Sequence, residues 1–139
     1  MHNRIGYVLK RVQSGLRAEM DRALQAKGLT TPQYAVLSAL EQESGISNAE
    51  LARRSFVTPQ TMIRIVETLE KLRLIARQPH PTHGKVLSAS LTAQGSRLVA
   101  SCHAAVAAVE ERMLQPLSTQ ERSKLSSLLE RCACALDKK

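Results

Sequence analysis

Aromatic side chains are nearly missing from this chain: Tyr7, Tyr34 and Phe56 are all it has, and tryptophan is absent. Binders of single-stranded nucleic acid stack bases on aromatic rings, so that class is disfavoured. Cysteine is scarce as well. Three of them, an odd number, read as reduced thiols and not as a disulfide framework. No stretch approaches the roughly 18 consecutive apolar residues of a membrane span. Arg4, Lys10 and Arg11 are not followed by the apolar core of a signal peptide. A soluble, cytoplasmic protein with no membrane partner is expected. There is no Gly-rich phosphate loop, no Ser/His/Asp set and no sign of paired buried carboxylates, so neither an enzyme nor a cofactor is expected.

What the chain does have is positive charge. Its 139 residues, 43% of them hydrophobic, suffice for one domain with a core, or a compact core with long appended helices. The net charge is +8, which makes a polyanion the default partner. Residues 47–97 hold eight Lys/Arg against three acids, a net of +5, whereas residues 1–46 and 98–139 contribute only +2 and +1. The excess sits in the middle third.

Apolar residues at Ile5, Val8, Leu9, Val12, Leu16, Met20 and Leu24 step by threes and fours, one amphipathic helix from Arg4 to Ala26. Gly28 suits the residue after its end. Thr31-Pro32 reads as an N-cap with proline at the first helical position, opening a second helix that Ser44-Gly45 closes. Ser47 and Glu50 are spaced as a capping box for a short third helix. Thr58-Pro59 opens a fourth, running to about Leu74, with Met62, Ile65, Val66, Leu69 and Leu72 as its apolar stripe. The period then changes to two. Leu87, Ala89 and Leu91 alternate with Ser88 and Ser90 as a strand, and Ile75–Gln78 fits a shorter partner, leaving a hairpin loop between them. Thr92 caps a long fifth helix that Pro116 breaks, and Ser118 with Glu121 boxes in a sixth. Cys102, Cys132 and Cys134 fall on or beside the last two apolar stripes, which reads as buried structural thiols.

A short capped helix, the turn Ser55-Phe56-Val57 and a longer helix with a polar outer face form a helix-turn-helix pattern. The hairpin that follows makes it winged. The fold class expected is therefore mainly α: a winged helix-turn-helix with a small β-hairpin wing and flanking helices whose apolar stripes need a partner, a second copy being the economical one. Residues 1–30 form an N-terminal dimerisation helix, 31–92 the DNA-binding unit and 93–139 the C-terminal dimerisation helices. The fourth helix is the one to enter a major groove of double-stranded DNA. Thr58, Pro59, Gln60, Thr61 and Arg64 occupy its start: Gln suits adenine, Arg suits guanine and Thr either a base or a phosphate. Ser47, Asn48, Arg53, Arg54, Arg77, His83 and Lys85 are the candidate phosphate or wing contacts. His80 and His83 lie three apart without a nearby carboxylate or cysteine, a poor start for a metal site, so none is expected.

The stretch TPQTMIRIVETLEKLRLIARQPHPTHGKVLSASLTAQG resembles the MarR family of bacterial transcriptional regulators. The match lies in Thr58-Pro59, Thr61, Arg64, Val66, Leu69-Glu70, Leu74-Ile75, Arg77, Pro79, Pro81 and the SLTAQG run, with the flanking helices in register. The resemblance implies a homodimer in which the first, fifth and sixth helices intertwine and two winged lobes read a pseudo-palindrome. It also implies repression relieved by an oxidant or a small effector, aromatic or phenolic, whose binding residues the sequence does not reveal. Members that sense organic hydroperoxides use a cysteine in the first helix, and residues 1–101 hold none. The chain departs from the family pattern at the wing tip, where His83, Gly84 and Lys85 stand in place of an acid followed by arginine. It departs again at Arg73, where glycine is common, and at Ile63, where a small hydroxyl residue is frequent. Two alternatives stay open: a winged-helix protein-interaction module or antirepressor without specific DNA binding, and a metal- or redox-sensing regulator.

Overall fold

The computed structural model describes residues 4–79 and 87–137. The elements are α1 (Ile5–Gln25), α2 (Thr31–Gln42), α3 (Asn48–Arg54), α4 (Pro59–Lys71), β1 (Ile75–Pro79), β2 (Leu87–Leu91), α5 (Ala93–Leu114) and α6 (Thr119–Asp137). Order and type agree with the periodicities of the sequence. The wing-tip residues His80, His83, Gly84 and Lys85 lie outside the described residues.

Local chemistry sets most boundaries. Gly28 takes a φ of +81°, and the Leu29 amide returns to the Leu24 carbonyl at 3.1 Å, closing α1 with both leucines in the core. The cap of α2 is one residue earlier than expected. Thr30, not Thr31, accepts from the Gln33 amide, and the Gln33 side chain accepts from the Thr30 amide at 2.9 Å, a complete capping box. Thr31 is already helical, and its hydroxyl donates to Asp21. At α3 the box is half-made: Ser47 accepts from the Glu50 amide, but Arg53 and Arg54 take the Glu50 carboxylate. At α6 it is whole, with Ser118 and Glu121 exchanging both bonds.

Helix α4 stops at Lys71, short of the expected Leu74. Arg73 adopts a left-handed φ of +62°, and the Leu74 amide turns back to the Leu69 carbonyl at 3.0 Å. That turn delivers Leu74 and Ile75 to the core at the start of β1. The hairpin is antiparallel, Ile75 opposite Leu91 and Arg77 opposite Ala89. On the other edge of β2 the Gly45 amide donates to the Ala89 carbonyl at 3.0 Å, so the link between α2 and α3 is stitched to the wing.

The core gathers Val36, Leu37 and Leu40 of α2, Leu51 of α3, Met62, Val66 and Leu69 of α4, Ala89 of β2 and Val99 and Cys102 of α5. Of α1 only Leu24 is buried, although α1 runs along α5. Helix α6 has no buried residue; Arg122 ties it to α5 by two hydrogen bonds to Glu111, at 2.8 and 2.9 Å. Cys102 is buried as expected. Cys132 and Cys134 are exposed, because the stripe of α6 faces away from this chain's own core.

Candidate nucleic-acid interface

The turn between α3 and α4 fixes the direction of α4. Phe56 sits in it with a φ of +57° and 94% of its surface exposed, while the Val57 amide bonds back to the Ala52 carbonyl at 3.1 Å. A bulky residue in left-handed backbone is strained, typically by about 1–2 kcal/mol. The turn is held all the same by Thr58, whose hydroxyl accepts from the Thr61 amide at 3.1 Å and donates to the Thr61 hydroxyl at 2.9 Å. Thr61 is left with its own proton to give outward. Asn48 at the head of α3 donates to the Pro59 carbonyl at 3.3 Å, locking the starts of the two helices together.

Along α4, Met62, Val66 and Leu69 are buried, and Gln60, Thr61, Arg64, Glu67 and Lys71 are exposed. Every expected reading residue of α4 thus lies on the side away from the core. Among the described residues, Arg64 has no ion-pair partner. Its guanidinium can present the bidentate fork that suits guanine or a phosphate.

The other basic candidates among the described residues are already paired. Arg53 binds Glu50. Arg54 bonds Glu50 at 2.8 Å and Glu43 at 3.0 Å, and these hydrogen bonds hold the Glu50 carboxyl below and the Arg54 guanidinium above their ordinary ranges. Arg77 reaches Glu70 at 3.1 Å, bracing β1 against the end of α4. Glu50 stands three and four residues before Arg53 and Arg54 on one helix, a spacing that announces those pairs, whereas Glu43 and the Arg77–Glu70 pair meet only through the fold. His83 and Lys85 lie outside the described residues.

Arg54 also opens onto a crevice of about 430 Å³ between α1, α2 and the turn. Leu16, Met20, Ala35 and Val57 give it apolar walls, and Arg17, Arg54 and Phe56 stand among its lining. A second cavity of about 450 Å³ lies between the first turns of α1, the end of α5 and α6, lined by apolar residues such as Leu9, Val12, Met113 and Leu129. Among the described residues no group of three or more His, Cys, Asp and Glu is placed to hold a metal, and no helix is long and apolar enough to cross a membrane.

Comparison with known proteins agrees with this geometry. Residues 27–85 match a model described as MarR family. The HTH-type transcriptional repressor Rv2887 of Mycobacterium tuberculosis is 39% identical over 127 residues, 91% of either chain. Its crystal structure in complex with p-aminosalicylic acid superposes with a TM-score of 0.80 at 37% identity, covering 94% of this chain and 98% of that one. Its complex with DNA gives a TM-score of 0.80 at 36% identity, covering 93% and 97%.

Proposed function

The chain belongs to the MarR family, and from that premise we propose that it is a DNA-binding transcriptional repressor that works as a homodimer in the cytoplasm and carries out no catalysis. The observation that carries the reading is the outer face of α4. Gln60, Thr61 and Arg64 stand exposed beside a capped helix start, opposite a stripe sunk in the core. A major groove about 12 Å wide accepts one such helix. Thr58 and Pro59 set its angle, and Ser47, Asn48, Arg53, Arg54 and Arg77, with His83 and Lys85 of the wing, would hold phosphates. An arginine that gives up an internal carboxylate for a phosphate loses little, because exposed ion pairs are worth at most about 1 kcal/mol.

Dimerisation is supported by apolar side chains with nothing to cover them. Ile5, Val8, Leu9 and Val12 on α1 and Leu125, Leu128 and Leu129 on α6 are all exposed in the single chain. Residues 1–30 and 93–139 would then be the dimerisation segments and 31–92 the reading unit. Two copies of α4 must reach half-sites about 34 Å apart, one helical turn of DNA.

The relative's complex with p-aminosalicylic acid points to a small aromatic acid as effector here too. The crevice beside Arg17, Arg54 and Phe56 has the size and the mixed lining for one. It lies where α1 meets the helix-turn-helix, so an occupant would change the spacing of the two lobes and spoil their joint fit to one rigid duplex. The test is a gel shift with duplex DNA from upstream of the protein's own gene, at low and moderate salt, with and without salicylate. Retention that weakens with salt and is released by salicylate is expected. No retention at low salt would sink the DNA reading, and retention indifferent to salicylate would remove only the effector.

A further inference from the structure

Ile63 lies on α4 between the core stripe and the outer face, and 49% of its surface is exposed. On a helix its neighbours three and four residues away are Pro59, Gln60, Val66 and Glu67, and Arg64 stands beside it. Val66 is buried while Gln60, Arg64 and Glu67 are exposed, so Ile63 is an apolar spot at the edge of the polar face. Helical side chains lean toward the helix start, which carries Ile63 toward Pro59 and Gln60, the end that goes deepest into a groove. As a β-branched residue it holds essentially one rotamer there, so its methyl groups are presented rigidly.

Single exposed apolar residues are ordinary on a protein surface. This one stands on the surface that the proposed function buries against base edges. In the major groove those edges offer hydrogen-bond donors and acceptors throughout, and one apolar group, the C5-methyl of thymine. A polar base edge set against Ile63 would lose its water and gain no partner, which is unfavourable. A thymine methyl set against it hides apolar surface on both sides.

We propose that Ile63 is a specificity-determining residue that reads the C5-methyl group of a thymine next to the base that Arg64 reads, once in each half-site. The inference rests on α4 being the reading helix. Gln60 and Arg64, which lie toward the outer face from it, supply the polar contacts that set the register, and Ile63 supplies discrimination by shape.

The test uses the whole protein. Duplexes are selected from a randomised pool with wild type and with Ile63→Ala, and the recurring thymines of the selected duplex are then replaced by deoxyuridine, which removes the methyl and nothing else. Wild type should bind the uracil duplex about fourfold more weakly for one half-site and about fifteenfold for both, the worth of one buried methyl each time. Ile63→Ala should bind thymine and uracil duplexes alike, and Ile63→Val should keep part of the difference. Equal binding of both duplexes by wild type overturns the inference. So does an equal loss in wild type and Ile63→Ala, which would assign the methyl to another residue. A pool from which wild type enriches no sequence overturns this inference and the DNA-reading function together.

Discussion

Among the described glycines, Gly95 has the least room for a side chain. In the first turn of α5 it passes so close to the α4–β1 link that a Cβ there would stand 2.1 Å from the Leu74 carbonyl oxygen. That oxygen also accepts from the Thr92 amide at 3.1 Å, while the Thr92 hydroxyl accepts from Gly95 and donates to Arg73 at 2.8 Å. Backbone, cap and link therefore form one knot, and Gly95→Ala forces it apart. A loss of about 2 kcal/mol is expected, in the range of overpacked cores, measured by urea unfolding; an unchanged midpoint would show that the knot gives way freely. The sequence pattern TAQG was visible, but its glycine had no reason until the fold brought Leu74 against it. Arg73 was legible as a departure from glycine, and its φ of +62° shows what that departure costs the backbone. Thr30 and Thr31 show the opposite case. The spacing Thr30 to Gln33 was a capping box in plain view, and the adjacent Thr31-Pro32 masked it.

Among the elements, α2 and α5 are joined by a polar chain that no periodicity announces. The Tyr34 hydroxyl meets His103 Nδ1 at 2.6 Å, and His103 Nε2 meets Glu41 at 2.8 Å. A carboxylate can only accept, so Nε2 carries a hydrogen, and in the neutral ring Nδ1 is then the acceptor for the tyrosine hydroxyl. The rings meet edge to face at 5.4 Å, and burial holds the Tyr34 phenol above its usual range. These bonds fix α2 of the winged unit to the long helix α5. Tyr34→Phe keeps the ring and removes the bond, and should cost about 1 kcal/mol, read as a lower thermal midpoint; no shift would mean water replaces the hydroxyl without loss. Element type and order were legible because core-facing stripes repeat at 3.6 or at 2 whatever their partners are. The Tyr34–His103 tie was not, since two residues that far apart in the chain meet only through the tertiary fold.

At the scale of the whole molecule, charge and apolar surface are separated. The positive excess lies in residues 47–97, and the uncovered leucines and valines lie on α1 and α6. Composition alone announced a polyanion partner, and the flanking stripes announced a second copy. The crevice beside Arg54 was illegible, because it belongs to three elements and to the paired state of an arginine that reads in the sequence as a phosphate contact. The central proposal is a dimer whose two α4 helices read DNA through Arg64. The direct measurement is the ratio of affinities for the selected duplex and for a scrambled one, in wild type and Arg64→Ala, with the mass of each free protein recorded alongside. A dimer is expected in both cases, with a ratio that falls by one to two orders of magnitude in Arg64→Ala, about 1–3 kcal/mol for a lost bidentate contact. An unchanged ratio in a dimeric Arg64→Ala would contradict it.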